Sequence, residues 1–341
     1  MSDKGTVLVT GGSGYIGSWC VIAALQQGYA VRTTVRSLAK EPQARAAIAK
    51  QVDPGNRLSF HAVDLTADAG WDEAMAGCEY VLHVASPIAV AEPKDPDELI
   101  VPAREGARRA VSAAIKAGVK RVVLTSSVAA ASPGETSGDS LTDENLWTDL
   151  SDPKVSAYSR SKTLAERAAW DLIGASDGAT TLATVNPALV LGPVLSDDFS
   201  GSIQVVERLM TGRVPGLPRL GFNIVDVRDV ADLHLRAMTQ PQAAGQRFIA
   251  AGRWAWMADL AVVLKAKLGA EAAKVPTRKV PDFVLRLAGL FDRDIASVTS
   301  GLGRKHDFSS AKAQNLLGWK PRPVEDTALD CARSLIAAGV A

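Results

Sequence analysis

The sequence is poor in the residues that build metal sites and disulfide frameworks. It contains three cysteines, Cys20, Cys78 and Cys331, without paired spacing, and four scattered histidines. We therefore expect no metal site, and we interpret the cysteines as reduced packing residues of a cytoplasmic protein.

The sequence also lacks charge blocks and long apolar runs. The formal net charge is +1, and no run of one sign is long enough to favour nucleic acid or an anionic membrane as a partner. No apolar run is long enough to span a bilayer, and β-formers begin at Thr6, which leaves no room for a signal peptide. What remains is an ordinary globular composition, 47% apolar and 22% charged over 341 residues. This length predicts two domains, or one large domain with an appended lobe.

A glycine-rich turn follows the first predicted strand, residues 6–9, and leads directly into a helical pattern. Gly11 permits a tight turn, Gly14 lets the backbone approach a pyrophosphate, and Gly17 lets helix and strand pack closely. The phosphates would bind free N–H groups at the positive end of the helix. The unit predicts a dinucleotide site whose contacts include Gly11, Gly14, Tyr15, Ile16 and Gly17.

The second predicted strand, residues 30–35, ends at a basic position. Folds that prefer NAD place an acidic residue about 20 residues past the glycine turn, where it binds the ribose 2′-hydroxyl. Here the strand ends at Arg36, with Lys40 following and no carboxylate before Glu41. A guanidinium can bind the 2′-phosphate of NADP with two hydrogen bonds, and a nearby lysine adds charge. The alternative is a solvated basic turn; the glycine turn upstream favours NADP(H).

Further strands alternate with helices, which predicts a doubly wound parallel sheet of the Rossmann type. The predicted strands are residues 58–63, 80–85 and 121–125, and a helix at 102–117 carries Pro102 in its first turn. Ligands of such sheets bind at the carboxyl ends of the strands, where the sequence has Asp64, Ser86, Ser126 and Ser127. The Asp64 carboxylate would meet the adenine amino group, although aspartate also ends strands and caps helices.

A later helix carries Tyr158 and Lys162 four residues apart, on one helical face. Ala165 and Ala169 continue this face, so it points into the protein; the alternative is an exposed, functionless pair. A tyrosine has a reference pKa of about 10, and a nearby ammonium lowers this pKa by stabilising the phenolate. With a serine hydroxyl that orients a carbonyl and a nicotinamide that carries hydride, these groups form a carbonyl/alcohol redox site without a metal.

Three motifs together resemble the extended short-chain dehydrogenase/reductase family: T-G-G-S-G-Y-I-G, T-S-S and Y-S-R-S-K. The similarity covers nearly the whole chain, since it continues in N-P-A-L-V-L-G-P (186–193), V-D-V-R-D-V-A-D (225–232) and D-F-S-S-A-K-A-Q-N-L-L-G-W-K-P (307–321). Within the family the dihydroflavonol-reductase-like branch is most similar. V-R-x-x-V-R (31–36) and A-Y-S-R-S-K-T-L-A-E-R-A-A-W (157–170) resemble its microbial NADPH-dependent aldehyde and ketone reductases.

The resemblance implies that Ser127, rather than Ser126, is the catalytic serine, with Tyr158 as acid/base and Lys162 as its partner. Tyr158 and Lys162 would also contact the cofactor. The other implied contacts are Arg36 and Lys40 at the 2′-phosphate, Asp64 and Leu65 at the adenine, Val84, Ala85 and Ser86 along the cofactor, and Pro187, Val190 and Ser202 near the nicotinamide.

Two departures disfavour the plant substrates of the branch. Flavonoid reductases have an asparagine five residues after the serine, where this chain has Ser132, and cinnamoyl-CoA reductases have N-W-Y-C-Y-G-K, where this chain has A-Y-S-R-S-K. An apolar segment could wall a pocket for a hydrophobic or aromatic carbonyl compound; it comprises Val194, Leu195, Phe199, Ile203, Val206 and Met210. It could equally be ordinary core.

We expect an NADP-binding domain at 1–186 with returns near 221–250, and a smaller, mostly α-helical substrate lobe at 187–220 and 251–341. The leading hypothesis is an NADPH-dependent carbonyl reductase, reversible as an alcohol dehydrogenase, that is a monomer or a homodimer. One alternative is an epimerase or dehydratase of nucleotide sugars that retains NAD, which Arg36 disfavours. The other is an NADP-sensing binding protein without turnover, which Tyr158 and Lys162 disfavour.

Overall fold

The computed structural model describes residues 4–87, 93–134, 138–196, 201–291, 299 and 301–341. The strands are β1 (Thr6–Val9), β2 (Ala30–Val35), β3 (Leu58–Ala62), β4 (Tyr80–His83), β5 (Arg121–Thr125), β6 (Ser140–Thr142), β7 (Thr181–Pro187), β8 (Leu189–Leu191), β9 (Gly221–Asp226), β10 (Gln246–Ala250), β11 (Trp254–Trp256) and β12 (His306–Phe308). The helices are α1 (Tyr15–Gln26), α2 (Glu41–Ala49), α3 (Trp71–Met75), α4 (Asp97–Lys116), α5 (Ala157–Gly174), α6 (Gln204–Thr211), α7 (Val227–Thr239), α8 (Met257–Leu268), α9 (Asp282–Ala288), α10 (Ala311–Leu317) and α11 (Val324–Ala337).

Seven parallel strands form the central sheet, in the spatial order β10-β7-β5-β4-β1-β2-β3. Val7 of β1 lies opposite Val31 of β2 on one side and Tyr80 of β4 on the other. The strand order therefore reverses between β1 and β4, where folds of this type leave a crevice at the carboxyl ends of the strands. The predicted doubly wound parallel sheet is confirmed, although β3 and β4 end slightly earlier than predicted.

Helix α1 is buried on nearly all sides because it packs on β1 and β2 and is flanked by α2 and α7. Trp19, Cys20, Ile22 and Leu25 are all buried. The indole Nε1 of Trp19 donates to the carbonyl O of Pro193 at 3.1 Å, which ties α1 to the segment after β8. These contacts fix the position of the glycine turn at the start of the helix.

Helices α4 and α5 pack together on the sheet face opposite α1. Three alanines at their contact, Ala103, Ala107 and Ala165, keep the side chains small and let the two helices approach closely. This contact brings α5, with its tyrosine and lysine, against the strands that end at the crevice.

Helix α4 begins at Asp97, so the prediction that Pro102 lies in its first turn was wrong. Asp97 and Glu98 form an acidic first turn that interacts favourably with the positive end of the helix. This interaction offsets part of the cost of Pro102, which cannot donate a backbone hydrogen bond inside the helix.

The remaining strands form two smaller sheets outside the central one. β9 pairs parallel with β8 and antiparallel with β11, and β6 pairs parallel with β12. The sequence pattern predicts a return to the large domain at Gly221, but β9 does not join the central sheet, because β10 occupies the open edge of β7. Helix α7, which follows β9, does pack on β5 and β7. The predicted division into domain and lobe stays a prediction, since one buried apolar cluster extends from Val7 to Leu335.

The described ranges contain neither a candidate membrane-spanning helix nor a candidate metal-binding cluster. None of their helices combines the length and the apolar character that a membrane span requires. Nor do these ranges contain three or more His, Cys, Asp or Glu side chains placed to hold a metal ion. All three cysteines are buried free thiols.

His234 of α7 is fully buried against the end of β5. Its Nδ1 donates to the carbonyl O of Val230 at 2.7 Å, and its Nε2 accepts from the hydroxyl of Thr125, also at 2.7 Å. A carbonyl oxygen can only accept, so the proton of the neutral ring is on Nδ1. Burial lowers the pKa of His234 to about 4.

We expect acid to destabilise the protein through His234. The unfolded chain binds this proton with a pKa of about 6.5, and the folded chain only near 4, so stability present above pH 6.5 is lost as the pH falls from 6.5 toward 4. The loss from this one group is about 1.4 kcal/mol per pH unit. Urea unfolding at pH 7 and pH 5 measures it: His234→Gln should lose less stability than the wild type, whereas equal losses would contradict the assignment.

Candidate active site

The turn between β1 and α1 is shaped by contacts that admit no side chain. Gly11 has a φ of +72°, and a Cβ there would lie 3.1 Å from the Cα of Ala85. A Cβ on Gly17 would lie 2.2 Å from the carbonyl O of Gly11, so the helix can pack on the turn only with glycine at this position. The N–H of Gly14 closes the turn by donating to the same carbonyl at 2.9 Å. The first N–H groups of α1 have no acceptor within the helix and can bind an anion.

A groove of about 670 Å³ opens at this turn and follows the carboxyl ends of β1 to β4. Its volume lies in the range of pockets that enclose a small-molecule ligand. The structure gathers in this groove the predicted contacts Gly11, Gly14, Tyr15, Ile16, Gly17, Arg36, Lys40, Asp64, Leu65, Val84, Ala85 and Ser86. Which of these residues contact a cofactor stays a prediction.

One end of the groove is basic. Arg36 and Lys40 line it directly after β2, and both side chains are exposed to solvent. The first carboxylate after the strand, Glu41, pairs with Arg45 at 2.9 Å. The strand end therefore presents cations and no carboxylate, which fits a 2′-phosphate better than a ribose hydroxyl.

Asp64, at the end of β3, uses its carboxylate in the local turn. Its Oδ1 accepts from both the backbone N and the Oγ1 of Thr66, at 2.7 Å each. These hydrogen bonds lower the pKa of Asp64, with smaller contributions from the nearby charges of Arg36 and Arg109. Asp64 thus stabilises the turn that ends the strand, which is the alternative role considered above. Its contact with adenine stays a prediction.

The two serines after β5 differ in what their hydroxyl groups contact. The Oγ of Ser126 donates to Oε2 of Glu166 at 2.5 Å. The Oγ of Ser127 instead accepts from the backbone N of Ala129 at 3.1 Å. Within the described residues the O–H of Ser127 forms no hydrogen bond of its own, so this group, and not that of Ser126, can donate to a substrate carbonyl.

Helix α5 carries Tyr158 and Lys162 and places Lys162 next to the ends of β4 and β5. The Oγ of Ser156 accepts from the backbone N–H three residues later at 3.1 Å and so begins the helix just before Tyr158. Lys162 is buried, with its Nζ 5.9 Å from the centre of the Tyr158 ring. It lines a water-sized cavity of about 10 Å³ together with Ala85 and Ser86, which also line the groove. Lys162 therefore lies beside the groove, and Tyr158 precedes it by one turn of the same helix.

The three residues predicted near the nicotinamide lie outside the lining of the groove. Pro187, Val190 and Ser202 are not among the residues that line the groove, and the Oγ of Ser202 donates to the carbonyl O of Val190 at 2.7 Å. Their place near a nicotinamide stays a prediction. The phenolic oxygen of Tyr15 is buried without a hydrogen-bond partner in the described part of the chain, and burial raises its pKa. A contact of Tyr15 with a cofactor must therefore involve its ring or its backbone.

Much of the apolar segment that could wall a substrate pocket belongs to the core. Ile203, Val206 and Met210 are almost fully buried in the main apolar cluster, and Val194 packs against it. The structure supports ordinary core for these three buried residues, whereas Val194 and Leu195 also line a small cavity beside the glycine turn. Phe199 lies outside the described residues.

The model of the NAD dependent epimerase/dehydratase family matches residues 7–251. The chain belongs to this family. The predicted membership in the extended short-chain dehydrogenase/reductase family, and in its dihydroflavonol-reductase-like branch, is thereby confirmed by the family model and by the relatives that follow.

Relatives of this epimerase/dehydratase family member include named reductases. Cinnamoyl-CoA reductase 1 of Arabidopsis thaliana is 36% identical over 250 residues, which cover 72% of this chain and 70% of the relative. Dihydroflavonol 4-reductase of Zea mays is 35% identical over 325 residues, which cover 92% and 84%. The crystal structure of yeast methylglyoxal/isovaleraldehyde reductase Gre2 complexed with NADPH has a TM-score of 0.80 to this chain at 26% identity, and the match covers 98% of this chain and 100% of that chain.

Two polar side chains that support the groove in this family member are not identified from the sequence. The Oγ1 of Thr10 accepts from the backbone N of Val84 and of Ala85 at 3.0 Å each and lies 2.9 Å from Nδ1 of His83. With both acceptor positions used, the hydroxyl donates to His83. Burial, together with the charge of Lys162, lowers the pKa of His83 to about 3, so this ring is neutral. The pair holds the end of β4 against β1, and neither residue has a local signal beyond its place at a strand end.

Two further residues, Glu166 and Arg247, form a buried ion pair at 2.7 Å, and Glu166 lines the same small cavity as Lys162 and Ser126. Glu166 stands four residues after Lys162, on the face that the alanines mark as buried. A charge on a buried face needs a partner, and this signal identifies Glu166 as a candidate. Nothing local to the sequence around Arg247 distinguishes it from a surface residue.

Proposed function

We propose that this protein reduces the carbonyl group of an aldehyde or a ketone with NADPH, in a reversible reaction. The observation that carries the proposal is the placement of Lys162, beside Tyr158, at a cavity that shares Ala85 and Ser86 with the groove. The proposed acid/base pair would thus act next to the groove that we propose for the dinucleotide. The relatives named above are reductases, which supports the same reaction class.

The groove fits NADPH. The glycine turn, with its free N–H groups at the start of α1, would hold the pyrophosphate, and Arg36 and Lys40 would hold the 2′-phosphate. Bound NADPH supplies the hydride. The end of β4, held by Thr10, would line the cofactor between these two points and the reacting centre.

Two side chains act on the substrate oxygen, and a third acts on one of them. The O–H of Ser127 donates to the carbonyl oxygen and orients it, since its own oxygen already accepts from Ala129. Tyr158 donates its proton to that oxygen as the alcohol forms and takes it back in the reverse direction. The positive charge of the Lys162 ammonium stabilises the resulting phenolate.

We propose a small hydrophobic or aromatic carbonyl compound as the substrate. The yeast relative is named for methylglyoxal and isovaleraldehyde, and the plant relatives for aromatic compounds. Ser132 and the A-Y-S-R-S-K segment depart from the plant signatures, so we favour simple aldehydes and ketones over the plant substrates.

A panel of aromatic and aliphatic aldehydes, ketones and β-keto esters tests this function. We expect turnover in which NADPH is consumed in strong preference to NADH. Turnover with NADH in preference would retain the chemistry and contradict the cofactor. Purified protein that carries tightly bound NAD and consumes neither cofactor would favour the epimerase, and NADPH binding without turnover would favour the sensor.

A further inference from the structure

Glu166 is a fully buried carboxylate surrounded by hydrogen-bond donors. Its Oε1 lies 2.7 Å from Nε of Arg247 and 3.0 Å from Oγ1 of Thr184. Its Oε2 lies 2.5 Å from Oγ of Ser126 and 2.9 Å from Nδ2 of Asn186. Nε1 of Trp170 and Nη2 of Arg247 donate longer hydrogen bonds of 3.4 Å to Oε1 and Oε2 respectively, and a carboxylate can only accept. The side chain cannot be exchanged for an amide without placing a donor against a donor.

Arg247 continues this assembly from β10. Its Nη1 donates to the carbonyl O of Glu144 at 2.6 Å and of Leu146 at 2.8 Å, and its Nη2 donates to that of Ala130 at 3.3 Å. Its guanidinium lies 3.8 Å from the centre of the Trp147 ring. A planar guanidinium satisfies all these acceptors at once, which a lysine cannot do.

The assembly holds the segment around Ser127 on both sides of its hydroxyl group. On one side the hydroxyl of Ser126 is bound by the Glu166 carboxylate. The carbonyl O of Ser127 itself accepts from Nδ2 of Asn186 at 3.1 Å, and the same amide is bound to that carboxylate. On the other side the carbonyl O of Ala130 is bound by Arg247.

The same carboxylate belongs to the helix that carries the acid/base pair. Glu166 lies one helical turn after Lys162 and two after Tyr158, so the three share one face of α5. We propose that Glu166, paired with Arg247, is a positioning residue that sets the hydroxyl of Ser127 at the correct distance from Tyr158 and Lys162. This inference rests on the proposed function. A displacement of catalytic groups by about 1 Å lowers the rate on the order of 100-fold, so a substitution that disturbs the assembly should lower kcat.

The test is a double-mutant cycle with Glu166→Gln and Ser127→Ala. We expect Glu166→Gln to lower kcat by roughly 10- to 100-fold while the KM for NADPH changes by less than about threefold, because Glu166 does not line the groove. In the Ser127→Ala background the same substitution should lower kcat by less than about threefold, since the group that it positions is gone. Equal losses in both backgrounds would overturn the proposal.

Asp229→Asn is the matched control. Asp229 is also a buried carboxylate, and it accepts from the backbone N of Arg322 at 2.6 Å and from its guanidinium. This pair joins α7 to the segment before α11, away from Ser127. The control should lower the unfolding temperature as Glu166→Gln does, but with unchanged kcat. A fall in kcat equal to that of Glu166→Gln would assign both effects to general destabilisation and overturn the proposal.

Hydrogen exchange of residues 126–131 provides a readout that needs no turnover. The N–H of Ala129 and of Ala130 are bound to the Oγ and the carbonyl O of Ser127, so a loosened segment should exchange faster in Glu166→Gln and not in Asp229→Asn. Faster exchange in a protein whose wild type has no reductase activity would refute the proposed function and retain the positioning role. Unchanged exchange and unchanged kcat would refute the positioning role alone. If Glu166→Gln does not fold, Arg247→Lys is measured instead, and the same outcomes apply.

Discussion

Tyr158→Phe should lower kcat by roughly 10²- to 10⁴-fold and leave the affinity for NADPH nearly unchanged, which is the range that a positioned general acid contributes. The substitution removes the only atom of this side chain that can donate a proton. The ring itself is kept, so the packing of Lys162, whose Nζ lies 5.9 Å from the ring centre, is preserved. None of the residues that line the groove is altered.

Single-turnover kinetics and NADPH fluorescence titration separate the two effects. Tyr80→Phe is the control, because Tyr80 of β4 stacks edge-on against Tyr29, with ring centres 6.5 Å apart, and does not line the groove. It should retain wild-type kcat. Full activity in Tyr158→Phe would end the proposed mechanism, and loss of NADPH binding in that variant would mean that the tyrosine acts mainly as a cofactor contact.

The central sheet is predictable from the sequence because parallel strands buried on both faces appear as short apolar runs between turn residues. β1, β2 and β5 have the predicted bounds for this reason. The path of the chain after β7 is not predictable in the same way. Whether β9 joins the central sheet depends on β10, which is later in the chain and occupies the edge of β7.

The residues of the candidate site also differ in whether the sequence alone can identify them. Residues that belong to one local motif, such as Gly11 or Tyr158, are assigned from the spacing of their neighbours. The assembly around Glu166 joins three elements, and Arg247 lies 81 positions from its partner. A buried charge and its counter-charge are recognisable as a pair only when the fold places them together, so long-range polar contacts are the part of the site that local patterns miss.

Arg36→Asp should invert the cofactor preference. Hydrogen bonds to charged groups contribute about 1.5–3 kcal/mol each. The loss of one or two such bonds to the 2′-phosphate therefore weakens the binding of NADPH by roughly 10- to 100-fold or more. The new carboxylate repels the phosphate but accepts from the ribose hydroxyls of NADH. We expect the ratio of kcat/KM for NADPH to that for NADH to fall at least about 100-fold. Arg333→Asp, which makes the same charge change on the exposed side of α11, should leave the ratio unchanged.

A control position and a high-salt measurement distinguish a direct contact of Arg36 with the 2′-phosphate from a long-range electrostatic effect of its charge. Arg36 is exposed, so its long-range effect on a charged ligand is screened, and a field effect should appear also in Arg333→Asp and disappear at high salt. A direct contact should depend on position and persist at 0.5 M salt, which is about the ionic strength where only charges within a few ångströms interact. Inversion with an unchanged kcat for NADH would mean that Ser127, Tyr158 and Lys162 act independently of the 2′-phosphate. An unchanged preference would place 2′-phosphate recognition on Lys40 or elsewhere, although the strand end offers no carboxylate for the ribose of NAD.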